Sequence, residues 1–203
     1  MILKAQRGRG NKIHLLLDDE YVITTDVDFW AENYIVDGSE IENEEWEELV
    51  LKINYKKAFN KCADLLSRRD HSVKELRDKL LRTVDEQSAD KAINKFLELG
   101  YLNDEKFALS LANHLFNNKN YSKNHVRQEL YKRGINKDII NDIIDNNESD
   151  QIDSIIRVIN KSYVNKLKLE GGKDKVIAAL MRKGFIYSDI KTAFYRIENE
   201  EYV

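Results

Sequence analysis

A helix of one pattern recurs three times at intervals of 50 residues, and no other feature of the sequence limits its fold as much. The copies are "SVKELRDKLLRTV" from Ser72, "SKNHVRQELYKRG" from Ser122 and "GKDKVIAALMRKG" from Gly172, aligned without gaps. The apolar pair Leu76/Leu80 becomes Val126/Leu130 and then Val176/Leu180. Residues four apart share a helix face, so every copy has the same face to bury. A basic residue returns near each end, as Arg82, Lys132 and Arg182. Gly134 and Gly184 close the second and third copies, and Val84 takes that place in the first, which must therefore end differently.

Each copy is followed by a further helical stretch, "SADKAINKFLELG", "NKDIINDIID" and "YSDIKTAFYRIE". Each is preceded by one as well, "YKKAFNKCADLLSRR", "NDEKFALSLANHLFNN" and "DQIDSIIRVINKSY". The third of these leading helices keeps no clean 50-residue register and is followed by a longer linker, "NKLKLEGG". The pattern predicts three tandem three-helix repeats forming an elongated, curved array. Between the first two, "FLELGYLNDEKFA" holds the signals of a rigid turn. Gly100 suits a left-handed helix end, Asn103 a cap, and Leu102 with Phe107 the spacing of a hydrophobic staple.

The first residues have another period. "MILKAQ", "KIHLLL" and "EYVITT", separated by "RGRGN" and "DD", predict a small β-meander. A short helix in "DVDFWAENY" and an acidic one in "SEIENEEWEELVLK" follow, the latter with Ser39 and Glu42 at capping-box spacing. Trp30 and Trp46 are expected to fasten this head together or against the first repeat. The expected domains are 1–54 for the meander and acidic helices, 55–102 for repeat 1, 103–147 for repeat 2 and 148–203 for repeat 3.

Proline is absent, where average usage of roughly 5% predicts about ten, in keeping with a chain ruled by uninterrupted helices. The net charge of −3 hides an asymmetry. Residues 1–54 hold 5 Lys/Arg against 13 Asp/Glu, a balance of −8, and residues 55–203 hold 28 against 23, a balance of +5. An acidic head on a mildly basic body suits charged partners, whereas a dedicated duplex binder has a stronger basic excess. "MILKAQRGRG" has no signal-peptide core and no apolar run is of membrane-span length, so a cytoplasmic protein that uses no membrane is expected.

No catalytic or metal-binding constellation stands out. His14, His71, His114 and His125 lack paired ligand spacing, and His71 and His125 read as partly exposed bystanders. Cys62 reads as a small core residue, and "GRG" at 8–10 is no phosphate loop. An enzyme is not expected, nor a cofactor, a metal or a small-molecule substrate.

The basic residues are the candidates for function. Arg68 and Arg69 precede the first recurrent helix, which carries Lys74, Arg77 and Arg82. Lys123, Arg127, Lys132 and Arg133 mark the second copy, and Lys173, Arg182 and Lys183 the third. Lysine and arginine on helices commonly form a solvated face with i,i+4 pairs. Their recurrence makes them candidate contacts to a partner or to DNA, in a positive stripe that would attract phosphates or an acidic protein groove. Arg7, Arg9 and Lys12 form a smaller basic loop on the head, and Tyr121, Tyr131 and Tyr187 serve equally as stacking or packing residues.

With these residues in hand, the sequence resembles the RecX family of regulators of the RecA recombinase, in its longer Gram-positive type. "LSRRDHSVKELRDKLL", "FLELGYLNDEKFA" and "VRQELYKRGINKDIINDII" carry the resemblance in order and register, with "VIAALMRKGF" a fainter trace beyond them. The resemblance implies a non-enzymatic modulator that binds the RecA–single-stranded-DNA filament. Such a protein inhibits filament growth, ATP hydrolysis and strand exchange, and so affects DNA repair, homologous recombination and the SOS response. A monomer with weak affinity for single- or double-stranded DNA is expected. The alternatives are a helical-repeat DNA-binding protein and a helical scaffold with another partner.

Overall fold

The computed structural model describes residues 1–147 and 150–200, the side chain of Glu200 excepted. The expected start of the third repeat, residue 148, and its end, residue 203, lie outside these. Among the described residues the chain is mainly helical with a small N-terminal sheet. The elements in order are β1 Ile2–Arg7, β2 Lys12–Leu17, β3 Glu20–Asp26, α1 Val27–Glu32, β4 Ser39–Glu40, α2 Asn43–Arg68, α3 Val73–Leu80 and α4 Glu86–Glu98. They continue with α5 Asp104–Asn117, α6 Lys123–Lys132, α7 Lys137–Asp145, α8 Gln151–Ser162, α9 Val164–Leu167, α10 Gly172–Arg182 and α11 Tyr187–Glu200. The chain divides into two units, residues 1–70 with 76–102, and residues 71–75 with 103–203.

In the first unit the expected meander is present and antiparallel, with strand order β3-β2-β1-β4. Asp18 and Asp19 both take positive φ, the conformation that lets a two-residue turn follow the twist of its strands. The short β4 against β1 was not legible, because two residues have no period to read. Leu3, Ile13 and Leu15 on the sheet bury against Phe29, Trp30, Ile41, Trp46, Leu49 and Ile53, so both tryptophans do fasten the head.

The sequence reading separates an acidic helix from the first helix of repeat 1, but the two are the single helix α2. It runs through residue 54 because "LVLKINYKKAF" holds no glycine or proline to end it, and the Asn54 side chain, which could cap a helix, donates to Asp85 at 3.0 Å instead. Its first half buries Trp46, Leu49 and Ile53 in the head; its second half buries Ala58 and Cys62. The Phe59 ring lies 4.8 Å from that of Phe96 on α4. The capping box at its start is made by Glu42 and Glu45, not Ser39, which pairs in β4.

The recurrent pairs Leu76/Leu80, Val126/Leu130 and Val176/Leu180 are all fully buried. The next helix of each copy shows where the 50-residue register slips. Val84, Ile135 and Phe185 are the buried residues before it, followed by Ala89, Ile140 and Ile190 and by Ile93, Ile144 and Phe194. Asp85 and Asn136 are the corresponding N-caps of α4 and α7. Val84 therefore does not replace a glycine; the first copy is one residue shorter, and Val84 does the work of Ile135. Its turn closes through the Thr83 and Val84 N–H groups, both donated to the Leu80 carbonyl at 2.8 and 3.0 Å. The second and third copies close on left-handed Gly134 and Gly184. No helix among the described residues is long and apolar enough to cross a membrane.

Candidate partner-binding surface

Within the second unit, one joint is built twice. Ser72 Oγ accepts the Glu75 N–H at 3.1 Å and donates to the Arg133 carbonyl at 2.7 Å. Fifty residues on, Ser122 Oγ accepts the His125 N–H, and the Ser122 N–H donates to the Lys183 carbonyl at 3.2 Å. The start of one recurrent helix thus meets the end of the next. Gly134 and Gly184 sit at the meeting points, with φ of +76° and +83°. A Cβ on Gly184 would come within 2.5 Å of Ser122 Oγ and 2.9 Å of His125 Cβ, and one on Gly134 within 2.7 Å of Lys74 Cβ. The glycine stands in the two copies that receive a preceding copy's serine and is missing from the first, which follows the sheet instead.

This joint sorts the candidate residues. Arg133 reaches Glu75 at 3.5 Å and Glu129 at 4.0 Å, and Lys74 Nζ donates to the Lys132 carbonyl at 3.4 Å. Lys183 donates to the Lys119 carbonyl at 2.9 Å and lies over the Tyr121 ring, half-buried, with burial and then the charge of Lys119 lowering its pKa. Lys123 donates to the Asn147 carbonyl at 2.6 Å. Arg77 is held by Asp90 at 2.8 Å and by Glu86, whose hydrogen bonds raise its pKa. These five side chains are engaged in the fold.

Arg68 pairs with Asp64 and Lys173 with Glu198 on exposed surface, and Lys132, itself exposed, pairs with half-buried Glu129; such surface pairs contribute little. Arg69 donates to the Asp70 carbonyl. Arg82, Arg127 and Arg182 are exposed and form no ion pair among the described residues. The recurring trio Arg82, Lys132 and Arg182 is thus exposed in every copy. Tyr131 is 73% exposed, whereas Tyr121 packs beneath Lys183. Cys62 is fully buried, and burial pushes its thiol up to about 11, so little nucleophilic thiolate forms at neutral pH. Among the described residues no cluster of three His, Cys, Asp or Glu side chains suits a metal ion.

Residues 58–96 match the first three-helix domain of RecX, and residues 103–143 match the second. The chain thus matches two successive RecX domains, in their family order. It is 28% identical over 205 residues to the regulatory protein RecX of Clostridioides difficile strain 630, covering 98% of this chain and 96% of that one. The RecX of Bacillus subtilis strain 168 is 26% identical and covers 98% of this chain, which spans 76% of that longer relative. A crystal structure of regulatory protein RecX superposes with a TM-score of 0.63 at 20% identity, over 94% of this chain and 98% of that one. The crystal structure of RecX from Lactobacillus salivarius gives 0.61 at 24% identity, over 71% of this chain and 97% of that one. At these identities the superpositions speak for the fold, which is the RecX fold.

A histidine also departs from its sequence reading. His71 is buried, not a partly exposed bystander, and its Nδ1 lies 3.0 Å from Glu75. Nearby, Asp104 accepts the Val73 N–H at 2.8 Å. Burial raises the Asp104 pKa against that hydrogen bond, and the charge of Glu75 adds to the rise. A raised carboxylate pKa favours the fold below the ordinary carboxylate range, and that advantage is lost as pH climbs through the raised value. Asp104→Asn keeps the acceptor oxygen and removes the charge. The melting temperature should rise by about 1–3 °C at pH 7 and not change at pH 3, as thermal melts at the two values would show.

Proposed function

We propose that this chain binds the RecA–single-stranded-DNA filament in the cytoplasm and inhibits its growth, ATP hydrolysis and strand exchange, without catalysing a reaction itself. Its effects would then reach DNA repair and the SOS response. The observation that carries this reading is the match of two successive three-helix domains to RecX in a chain that pairs nearly end to end with curated regulatory proteins of that name. Repetition gives the reading a physical basis. A filament offers identical sites at regular intervals, and linked modules convert each further contact into an intramolecular one, so modest contacts multiply. Arg82, Lys132 and Arg182, recurring and exposed, are the proposed contacts, with Arg127 beside them. Arg77, Lys123, Arg133 and Lys183 are left to hold the fold. Any DNA affinity of the monomer alone is then weak and salt-dependent.

The test is single-stranded-DNA-dependent ATP hydrolysis by RecA of the same organism, at near-physiological salt, with increasing amounts of this chain. Hydrolysis should fall at substoichiometric amounts. Reversing Arg82, Lys132 and Arg182 together to Glu should weaken inhibition at least about tenfold while circular dichroism stays unchanged. No effect of the folded wild-type chain would overturn the function, and full inhibition by the reversed chain would overturn the contact assignment.

A further inference from the structure

The slipped register between copies exposes a difference in charge that alignment at 50 residues conceals. Arg77 in the first copy corresponds to Arg127 in the second, since Leu76/Leu80 and Val126/Leu130 are matched and fully buried. On the following helix the match is 51 residues: the buried pairs Ala89/Ile140 and Ile93/Ile144 set it, and the N-caps Asp85/Asn136 agree. Glu86 then corresponds to Lys137, and Asp90 to Asn141. In the first copy the Arg77 guanidinium is clasped by Asp90, at 2.8 and 3.3 Å, and by Glu86. In the second, one carboxylate has become a cation and the other an amide. Arg127 keeps its place and forms no ion pair among the described residues.

An open groove occupies this position. It holds about 570 Å³ between α6 and α7, with Arg127, Tyr131 and Lys132 on one side and Lys137, Ile140 and Asn141 on the other. Lys132 shares its charge with Glu129 at 2.7 Å, so Arg127 and Lys137 supply most of the field. The floor is apolar, built from Ile140, the Tyr131 ring and the alkyl stems of the basic residues. We infer that this groove docks an acidic peptide segment of the protein partner, whose carboxylates take the part that Glu86 and Asp90 play within the first copy. The inference rests on the reading that the chain acts through a protein partner. It names the chemistry of the contact: a carboxylate for the Arg127 fork and the Asn141 amide, beside an apolar side chain for the floor. A nucleic-acid backbone would instead call for a track of cations along a groove, and this site gathers three around an apolar hollow, one of them already paired with Glu129.

The test uses the full-length chain and a fluorescein-labelled synthetic peptide of the sequence of residues 84–98, which carries Glu86 and Asp90 at their native spacing. Fluorescence anisotropy at near-physiological salt should show saturable binding. Neutralising the peptide with Glu86→Gln and Asp90→Asn should weaken it at least about tenfold. In the protein, Lys137→Glu with Asn141→Asp restores carboxylates beside Arg127 and should close the groove from within, with a comparable loss of peptide binding. Arg127→Gln is the second variant if that one does not fold. Absence of binding by the wild-type chain, or binding indifferent to both variants, would overturn the inference. So would binding that a thymidine dodecamer displaces and the neutral peptide equals, since the groove would then be a phosphate site. The RecA hydrolysis assay runs beside it. Inhibition without peptide binding sinks the groove and leaves the RecA reading standing, and peptide binding without inhibition does the reverse.

Discussion

Gly184→Ala should cost about 2–5 kcal/mol, from a left-handed residue bearing a Cβ (roughly 1–2) and from overlap with packed neighbours (roughly 1–3). The overlap is with Ser122 Oγ at 2.5 Å, His125 Cβ at 2.9 Å and the His125 backbone nitrogen at 3.2 Å, and the last of these is on a helix that has little room to yield. For a domain of this size the melting temperature should fall by about 5–15 °C. Gly100 is the control, because its φ is +73° but nothing lies within 4 Å of the position a Cβ would take. Gly100→Ala should therefore cost only the conformational part, about 1 kcal/mol. Gly134→Ala should cost about as much as Gly184→Ala, since its Cβ would come within 2.7 Å of Lys74 Cβ, which is fixed to its backbone and cannot move aside as the outer carbons can. Thermal melts of the three variants read the order directly. Equal losses for Gly184→Ala and Gly100→Ala would mean that the joint between copies is loose and the glycines serve their own turns alone.

Leu15→Ala should be as damaging, at about 2–5 kcal/mol, because it opens a cavity that the neighbouring strands can collapse around only in part. Leu15 is fully buried on β2, which has a strand on either side, and faces the cluster that contains Trp30 and Trp46. Those are the two tryptophans of the chain, so intrinsic emission reports on this core. The variant should lose fluorescence-detected stability in urea and shift its emission to the red at lower denaturant. Leu109, 51% exposed on α5, should lose less than about 0.5 kcal/mol on the same truncation. A Leu15→Ala chain that melts like the wild type would show that the sheet and the tryptophans do not form one cooperative core.

Much of the fold was legible because it depends on local pattern. The pairs Leu76/Leu80, Val126/Leu130 and Val176/Leu180 announce buried helix faces by spacing alone. "DD" at 18–19 announces a tight hairpin, and Asn103 a cap that the structure supplies with the Lys106 N–H. The acidic helix and its successor were read as two since their compositions differ, although helix propensity is continuous through residue 54. The one-residue slip at Val84 was misread as a substitution, because an ungapped alignment of "LLRTV" and "LYKRG" cannot tell a missing residue from a changed one.

The candidate surface was legible as chemistry but not as geometry. Counting recurrent cations found Arg82, Lys132 and Arg182, which are exposed. It could not separate them from Arg77 and Arg133, whose nearer carboxylate partners, Asp90 and Glu75, come from other helices. Nor could it find Lys137, which counts only once Val84 and Ile135 are superposed. The sequence by itself determined the periodic elements, the modules and the sign of the charge, since helix period, turn chemistry and composition act over a few residues. Only the tertiary structure decided which cations are already neutralised and which stay open. An ion pair is fixed by distances of 3–4 Å between side chains far apart in the chain, and no local pattern encodes those distances.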